Sequence, residues 1–414
     1  MSQPLRLGLS IRTFNATSGG LQSHAAQLAR ELVRRGHEVR IVTRALSRAP
    51  SYEDLFFYRD PVERTEVEGV PVRVVRRSAL WRPWLWLSFK CAWRPSSRSL
   101  GARMYRLAFE PGIRAALRGV DLIQHVGHGS DMIGFAAAGA ARAFGVSFLA
   151  QPTVHPGQCG DSELDFLLYR EADRLLVHTE FEAAFFRSRG MTLPINIPGN
   201  AVEDRADGDA HRFRERHALG AARLVLYLGR KHADKGYPLV REAFRRVRER
   251  QPGVVLVCMG PAGSARKIEE GRLSDGVLEL GFGTEQEKHD ALAACALMCV
   301  PSEGESFGLV YMEAGRYAKP VIGRRLPVLE ELLGRHDAAL LVGTANGQAS
   351  SIPVEPAELA EAMLQILNEP LLARRLGENL RRVSSEFIWP KVVTRFEAAY
   401  RETLAASPRS TAHA

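Results

Sequence analysis

The sequence of 414 residues is poor in cysteine and has no long apolar run. Its five cysteines are mostly far apart, and only Cys295 and Cys299 are close together, which disfavours both a disulfide framework and a repeated metal pair. No stretch approaches the ~20 apolar residues that a membrane-spanning helix requires. The first residues also lack the apolar core and cleavage site of a signal peptide. We therefore expect a cytoplasmic protein.

Acidic residues are nearly missing from residues 71–118. This segment contains eleven Lys and Arg residues against Glu110 alone. The whole chain has a net charge of +9, so the remainder is close to neutral. Because the basic charge is confined to one segment, a nucleic-acid-binding protein is disfavoured, and any argument about an acidic partner depends on this segment.

The composition is that of a soluble globular protein, with 45% hydrophobic and 25% charged residues. Its length exceeds the ~250–300 residues at which a single core stops growing, which predicts two domains. Apolar runs typical of strands alternate with helical periods along most of the chain. The runs are 5–11, 38–43, 70–75, 121–126, 147–151, 174–179, 223–229, 254–260, 277–281, 297–302 and 319–323. Such alternation predicts an α/β fold with parallel, doubly wound sheets.

The alternation breaks over residues 197–210, which are rich in Gly, Asp and Ala. We place the boundary there, with an N-terminal Rossmann-like domain over 1–198 and a second one over 199–388. Residues 389–414 are predicted to form a helix that packs back on the N-terminal domain, followed by a frayed tail. Two such sheets facing each other would enclose an interdomain cleft at the carboxyl ends of their strands, where open parallel sheets bind ligands.

The three-glycine fingerprint of dinucleotide sites is missing, so a nicotinamide cofactor is disfavoured. Gly19 and Gly20 instead stand between the first strand and the first helix, where backbone N–H groups can approach a phosphate. In the second half, Arg230 and Lys235 follow a strand and could clamp a diphosphate. A plain glycine turn and solvated loop charges are the respective alternatives. The roles of Lys231 and His232 stay open.

His155 follows the strand over 147–151 and could hydrogen-bond a sugar hydroxyl or a developing charge. A lone histidine usually has no such role, and His125 and His128 are weaker candidates of the same kind. The sequence contains one Asp-x-Asp, formed by Asp207 and Asp209. It falls in the predicted linker, so we expect no metal site there.

The stretch PSEGESFGLVYMEAG, residues 301–315, carries two carboxylates eight positions apart. Glu305 is predicted to lie in the loop after a strand, and Glu313 about one and a half turns into the next helix. Backbone N–H groups near Ser306, Phe307, Gly308 and Leu309 would face an anion at the helix N-terminus. The spacing suits two hydroxyl-binding acceptors on either side of a phosphate. A helix-dipole partner and a solvated helix face are the alternatives.

Over nearly its whole length the chain resembles the retaining glycosyltransferases of family 4, which have the GT-B fold of two facing Rossmann-like domains. The resemblance rests on four segments, GGLQSHAAQLARELVRRGHEVRIVT, EADRLLVHTEFEAAFF, LYLGRKHADKG and PSEGESFGLVYMEAGRYAKPVIG. It implies that Arg230 and Lys235 hold the donor diphosphate, that Glu305 lies by the donor sugar and that Glu313 binds the ribose hydroxyls.

The same resemblance implies that Gly19 and Gly20 border the phosphates and the acceptor, and that His155 contacts the donor sugar. The implied reaction moves a hexose from a UDP- or GDP-sugar to an acceptor hydroxyl with retention, without a metal or other cofactor. The leaving phosphate would take the acceptor proton on the same face. A glycan, a glycolipid or a small-molecule precursor could be the acceptor. A nucleotide-sugar epimerase and a non-catalytic nucleotide-sugar-binding subunit are the alternatives.

Four residues, at three places in the chain, depart from the family pattern. Ser306 stands where the family usually has glycine, and Ala318 replaces the glycine before Lys-Pro-Val-Ile. Arg324 and Arg325 lie where glycine pairs are common. The sugar preference is therefore open, whereas the nucleotide site fits the pattern.

Residues 78–109 contain four of the five tryptophans, interleaved with arginines. Basic charge with interfacial aromatic residues suits a segment that lies on an anionic membrane, at ~1 kcal/mol per basic residue near the surface. We therefore predict peripheral docking on the inner face of the cytoplasmic membrane through 71–118. Packing of the tryptophans on the N-terminal sheet, with solvated arginines, is one alternative, and a phosphate-bearing acceptor is another.

Overall fold

A computed structural model describes residues 3–14, 20–46, 53–67, 69–262, 271–281, 283–343 and 353–406. These residues form two compact units. Unit 1 is drawn from Met1–Asn200 together with Trp389–Ala414, and unit 2 from Ala201–Ile388. The division falls within the segment 197–210, where the alternation of strand and helix patterns breaks.

The described residues of unit 1 form an eight-stranded sheet with helices between the strands. The strands are β1 (Arg6–Thr13), β2 (Glu38–Ala45), β3 (Arg64–Val67), β4 (Val70–Val74), β5 (Leu122–Val126), β6 (Ser147–Gln151), β7 (Arg174–Leu176) and β8 (Ile195–Asn196). The helices are α1 (Gly20–Arg34), α2 (Asp54–Phe57), α3 (Arg82–Ala92), α4 (Arg98–Ala116), α5 (Ile133–Phe144), α6 (Glu163–Tyr169) and α7 (Glu180–Ser188). The sheet order is β3-β4-β2-β1-β5-β6-β7-β8, and the β3–β4 pair alone is antiparallel.

Unit 2 repeats this plan with a seven-stranded sheet over its described residues. The strands are β9 (Arg223–Leu228), β10 (Val254–Met259), β11 (Leu273–Ser274), β12 (Val277–Leu280), β13 (Leu297–Cys299), β14 (Val321–Arg324) and β15 (Leu340–Val342). The helices are α8 (Ala210–Arg216), α9 (Tyr237–Arg250), α10 (Glu285–Ala294), α11 (Leu309–Arg316), α12 (Pro327–Leu332), α13 (Pro356–Asn368) and α14 (Pro370–Ser384). The order is β11-β12-β10-β9-β13-β14-β15, and the β11–β12 pair alone is antiparallel.

The last helix, α15 (Trp389–Ala406), belongs to unit 1 and packs against α1. A chain of buried hydrogen bonds ties it to the sheet. Tyr400 donates to Gln124 on β5, and Gln124 donates to Gln151 on β6 at 2.7 Å. Gln151 in turn lies 2.7 Å from the ring Nε2 of His24 on α1. These bonds satisfy polar groups that would otherwise be costly to bury.

Several strands of both sheets are buried on both faces because helices cover each side. β5, β6, β10 and β12 are buried along their full length. The prediction of two doubly wound, mainly parallel sheets is confirmed. No helix in the described ranges is both long and apolar enough to cross a bilayer.

The strand order reverses direction once in each unit. In unit 1, β1 has β2 on one side and β5 on the other, and in unit 2, β9 lies between β10 and β13. Where the order reverses, the loops after two neighbouring strands run to opposite sides of the sheet. This separation opens a crevice at the carboxyl ends of the strands. The site in unit 2 is therefore to be sought after β9 and β13.

Candidate active site

The loops that follow β9 and β13 are held together by backbone contacts. The N–H of Glu303 donates to the carbonyl of Asp234 at 2.8 Å. Gly236 has φ +71°, and a Cβ at this position would lie 2.6 Å from the carbonyl oxygen of Pro301. Only glycine fits such a position without displacing the neighbouring loop. The two loops therefore form one rigid rim at the crevice of unit 2.

Lys235 and Glu305 meet on this rim. The Nζ of Lys235 lies 2.8 Å from Oε1 of Glu305 and 3.4 Å from the carbonyl oxygen of Gly304. The side chains are 23% and 12% exposed, so the pair is largely shielded from solvent. The sequence predicts that both residues bind the donor, and the structure brings them together although 70 positions separate them.

The other charged residues of the loop after β9 differ in their surroundings. Arg230 is exposed and pairs with Asp234 at 2.8 Å, so its guanidinium lies at the open side of the rim. Lys231 is buried and bonds to Glu279 at 2.9 Å and to the carbonyl of Leu280 at 2.8 Å. Lys231 is thus a structural residue, whereas the side chains of Arg230 and Lys235 keep some exposure to solvent at the rim.

The start of α11 offers backbone donors beside this pair. Gly308 has φ +83° and precedes the helix, and a Cβ there would lie 2.7 Å from the ring of Tyr311. The N–H groups of Gly308 and Leu309 donate to no acceptor among the described residues, as is usual in the first turn of a helix. Phe307 is buried and packs edge-to-face on Phe387, with ring centroids 5.0 Å apart. This ring contact fixes the loop that precedes α11.

Glu313 is held by a lysine that the sequence analysis missed. Oε1 of Glu313 lies 2.7 Å from the Nζ of Lys288 on α10, and the same Nζ lies 2.7 Å from Glu285. Burial opposes the charge of Lys288, but the carboxylates of Glu313 and Glu285 outweigh it and raise its pKa well above the usual value. Lys288 therefore orients Glu313. No spacing in the sequence signals this contact.

Of the glycine pair in unit 1, Gly19 lies outside the described residues. Gly20 is the first residue of α1, and a Cβ added there would meet no atom of the described residues within 4 Å. Gly20 also has no positive φ. Neither the backbone conformation of Gly20 nor its contacts with the described residues require glycine at this position.

The three candidate histidines differ in burial. His125 is fully buried with its Nδ1 2.9 Å from the hydroxyl of Ser10, and His128 contacts Thr153 at 3.2 Å. His155 is half-buried on a tight turn after β6, closed by two 3.0 Å backbone bonds with Cys159. His125 is therefore structural, and His155 remains the candidate for substrate contact.

A buried carboxylate supports the turn that carries His155. Glu182 on α7 accepts hydrogen bonds from the backbone N–H of Val154 at 3.1 Å and of His178 at 2.8 Å. Burial raises the pKa of Glu182 to about 8, and the two backbone donors oppose this shift. Glu182 is a positioning residue for His155 that the sequence analysis did not identify.

The two carboxylates of the Asp-x-Asp are engaged within the fold. Asp207 pairs with Arg205, and Asp209 caps α8 by accepting from the N–H of His211 at 2.8 Å. Across the ranges that the structure describes, no three His, Cys, Asp or Glu side chains converge as metal ligands would. Asp207 and Asp209 thus form contacts within unit 2.

The positions that depart from the family pattern have distinct surroundings. Ala318 has φ +51°, the left-handed region that favours glycine. Arg325 is a structural residue that bonds to Glu330 at 2.8 Å and to the carbonyl of Leu341 at 2.9 Å. Arg324 is buried at the end of β14, with its guanidinium 4.0 Å from Glu303, and burial lowers its pKa. Ser306 lies in the loop before α11.

Two Rossmann-like units, with cations and a helix N-terminus at the strand ends of the second, define the architecture of GT-B glycosyltransferases. Two family models match the chain, the glycosyl transferase 4-like domain over residues 19–195 and the glycosyl transferases group 1 over residues 209–383. Together they account for most of the sequence. The chain belongs to the GT-B glycosyltransferases of family 4.

Curated relatives carry the name D-inositol 3-phosphate glycosyltransferase. The protein from Acidothermus cellulolyticus is 28% identical over 424 residues, covering 94% of this chain and 86% of the relative. The protein from Corynebacterium urealyticum is 27% identical over 249 residues, covering 56% of this chain and 57% of the relative. The chain thus spans little more than half the length of some of the relatives that it matches.

Solved structures show the same fold at low sequence identity. Sucrose-phosphate synthase from Thermosynechococcus elongatus aligns with a TM-score of 0.70 at 20% identity, covering 97% of this chain and all of that one. The Anabaena protein HepE in complex with UDP and glucose aligns with a TM-score of 0.68 at 16% identity, covering 97% and 100%. These likenesses concern the fold alone.

Proposed function

We propose that the protein is a retaining glycosyltransferase that moves a hexose from a UDP- or GDP-sugar to an acceptor hydroxyl. The observation that carries the proposal is the shielded contact between Lys235 and Glu305 at the crevice of unit 2. It lies at the strand reversal between β9 and β13 and beside the N-terminus of α11. A cation, a carboxylate and backbone donors at this place suit a sugar linked to a diphosphate.

The diphosphate is assigned to the two cations and to the helix start. When the bond between the anomeric carbon and the phosphate oxygen breaks, negative charge develops on the leaving nucleoside diphosphate. Lys235, Arg230 and the N–H groups of Gly308 and Leu309 would stabilise that charge. Lys235 would share its ammonium between Glu305 and the phosphate, which places the Glu305 carboxylate next to the donor sugar.

The ribose is assigned to Glu313. Its contact with Lys288 keeps one carboxylate oxygen occupied, while Oε2 accepts no hydrogen bond from the described residues. A carboxylate oxygen with free acceptor capacity is a good partner for a ribose hydroxyl. For His155 and Gly20, a role at the donor sugar and at the phosphates rests on the resemblance to the family and on their local geometry.

The chemical step proposed is a same-face displacement. The bond from the anomeric carbon to the donor phosphate breaks, a bond from that carbon to the acceptor oxygen forms, and the leaving phosphate oxygen takes the acceptor proton. No protein nucleophile is needed, and configuration is retained. We propose that the reaction requires no metal, because Arg230 and Lys235 supply the positive charge that a metal would provide.

The donor and acceptor follow from the relatives by analogy. Solved structures of similar fold contain UDP, or UDP-glucose, which makes UDP-glucose the first donor to test. The curated relatives named for D-inositol 3-phosphate suggest a small phosphorylated acceptor, and a glycan or glycolipid acceptor fits the family equally. We further propose that the enzyme acts in the cytoplasm, held on an anionic membrane surface through residues 71–118.

Release of nucleoside diphosphate from a panel of UDP-, GDP- and dTDP-sugars, with and without candidate acceptors, tests the proposal. Glu305→Gln and Lys235→Ala should each lower turnover on the order of 10²–10³-fold, the usual cost of one group that stabilises developing charge. Glu361→Gln, the same change in an exposed ion pair with Arg250, is the matched control and should keep full activity.

The outcomes separate the candidate functions. Full turnover in Glu305→Gln would refute the assigned site. Nucleotide binding without release from any donor would favour a non-catalytic subunit, and conversion of the sugar without an acceptor would indicate an epimerase. Loss of activity with a chelator, restored by a divalent metal, would contradict the metal-free step.

A further inference from the structure

Exposed apolar side chains are concentrated in one part of unit 1. Seven of the ten large apolar residues that are exposed in the described part of the chain lie between positions 80 and 107. They are Leu80, Trp84, Trp86, Leu87, Trp93, Leu100 and Leu107. Leu80 is 90% exposed and Trp86 is 54% exposed. Such a cluster on a soluble domain usually marks an interaction surface.

The inner side of α3 is firmly packed, so the exposed residues are not a loosely folded core. The hydroxyl of Ser88 donates to the carbonyl of Gly101 on α4 at 2.8 Å. The indole N–H of Trp84 donates to the backbone carbonyl of Met104 at 2.9 Å. A Cβ on Gly101 would lie 2.3 Å from the backbone N of Ala92, so the two helices touch. Phe89 packs edge-to-face on Phe56, with ring centroids 5.3 Å apart.

The opposite side of α3 is both apolar and basic. We define the α3 face as Arg82, Trp86, Leu87, Lys90, Trp93 and Arg94, all of which are exposed. These positions alternate at helical spacing with the buried Leu85, Ser88 and Ala92. The tryptophans therefore do not all pack on the N-terminal sheet. Trp86 and Leu87 face outward, and the ammonium of Lys90 lies 5.6 Å from the Trp86 ring.

The charges of the α3 face are not neutralised within the fold. Residues 69–109 contain nine Lys and Arg residues and no Asp or Glu. Arg82, Lys90 and Arg94 form no ion pair with any described acidic residue. In contrast, Arg73 nearby pairs with Glu63 at 3.0 Å, and Arg106 with Glu110 at 2.9 Å. The face thus offers three exposed cations to an external anion.

We propose that the α3 face docks on a bilayer that contains anionic lipids. Trp86, Leu87 and Trp93 would enter the boundary between headgroups and acyl chains. Arg82, Lys90 and Arg94 would contact lipid phosphates. Interfacial helices typically combine these two kinds of contact. A second copy of the chain is a poor occupant, because it would bring like charges together. This inference rests on the proposed function, since docking brings a transferase to a membrane-bound acceptor.

The test is sedimentation of the full chain with vesicles of phosphatidylcholine alone or with about one third phosphatidylglycerol, at low salt and at roughly 0.5 M salt. One variant replaces Arg82, Lys90 and Arg94 with glutamine, and another replaces Trp86 and Leu87 with serine. The control variant, Leu371→Ser with Arg374→Gln, removes an exposed leucine and an exposed arginine from α14.

The wild type and the control should bind the anionic vesicles at low salt and lose binding at high salt. Removal of the three cations should weaken partitioning by about 5-fold per residue, on the order of 100-fold in total. The Trp86/Leu87 variant should weaken it by at least about tenfold. Equal wild-type binding to both vesicle types, or unchanged binding of the three-cation variant, would overturn the proposal. The proposal would also be overturned if the wild type formed a dimer in gel filtration and the Trp86/Leu87 variant were a monomer.

The transfer reaction is measured separately, without vesicles and with a soluble acceptor. Both α3-face variants should keep wild-type turnover there, because neither changes a residue assigned to the donor site. If the wild type binds vesicles but turns over no donor, docking stands and the proposed function fails. If the wild type turns over donors but does not bind anionic vesicles, the transfer reaction stands and the docking proposal fails.

Discussion

Acidification from pH 7 to pH 5 should lower the free energy of unfolding of unit 1 by about 2 kcal/mol through His24 alone. His24 is almost fully buried on α1. Its Nδ1 lies 2.7 Å from Oδ1 of Asn200, and its Nε2 lies 2.7 Å from the side-chain nitrogen of Gln151. The neutral ring satisfies both partners by donating to Asn200 and accepting from Gln151. A protonated ring would place an N–H against the Gln151 amide.

The magnitude follows from the pKa of His24. Burial lowers it from 6.5 to about 4, and the contacts with Asn200 and Gln151 oppose the shift only in part. Because the folded pKa is depressed, the stability is fully present above pH 6.5 and is lost as the pH falls toward 4. Each pH unit in this window costs about 1.4 kcal/mol. The loss is therefore about 2 kcal/mol at pH 5 and about 3.4 kcal/mol below pH 4.

Urea unfolding followed by tryptophan fluorescence is the assay, because all five tryptophans belong to unit 1. His24→Gln should lower the free energy of unfolding at pH 7. The difference in this free energy between the wild type and the variant should be smaller by about 2 kcal/mol at pH 5. The double difference cancels the titration of groups that do not interact with His24, such as Glu182. His211→Gln, at an exposed site, is the control and should show no comparable shrinkage. A deficit for His24→Gln that stays constant with pH would refute the reasoning.

Two further predictions concern unit 2. Lys288→Met should weaken binding of the donor nucleotide by about 3–10-fold in titration calorimetry, since Glu313 loses the partner that orients it. The effect should vanish with a 2′,3′-dideoxy nucleotide, and equal losses for both nucleotides would contradict the ribose assignment. Ala318→Gly should raise the free energy of unfolding by about 1 kcal/mol. The reason is that φ +51° strains alanine, and relief of this strain exceeds the extra chain entropy that glycine gives the unfolded state. A decrease in thermal unfolding followed by circular dichroism would contradict this.

The strands and the place of the candidate site could be predicted from local pattern. Buried parallel strands appear as short apolar runs because both faces are covered, and their ends are marked by glycine and polar residues. The positions after β9 and β13 contain Lys235 and Glu305, and adjacency of the two strands then brings the side chains to one edge. This step needed only the strand order of a doubly wound sheet.

The short strands were harder to predict. β8 and β11 contain two residues each, too few to show an alternation of polar and apolar positions. The helices α3 and α4 were hidden for another reason. Their exposed faces carry tryptophan and leucine, so the apolar period that identifies a surface helix is blurred. The same residues that obscure the period are those that the α3 face presents to solvent.

The supporting residues of the site could not be predicted, because they act through contacts between distant elements. Glu182 lies in the first turn of α7, where the N–H of Glu182 itself donates to the capping hydroxyl of Thr179. An acidic residue there is readily explained by the helix dipole alone. Its carboxylate instead accepts from the N–H of Val154, 28 positions earlier, beside His155. The position of His155 thus depends on the carboxylate of Glu182. The sequence around Glu182 gives no sign of this role, because helix capping alone explains an acidic residue there.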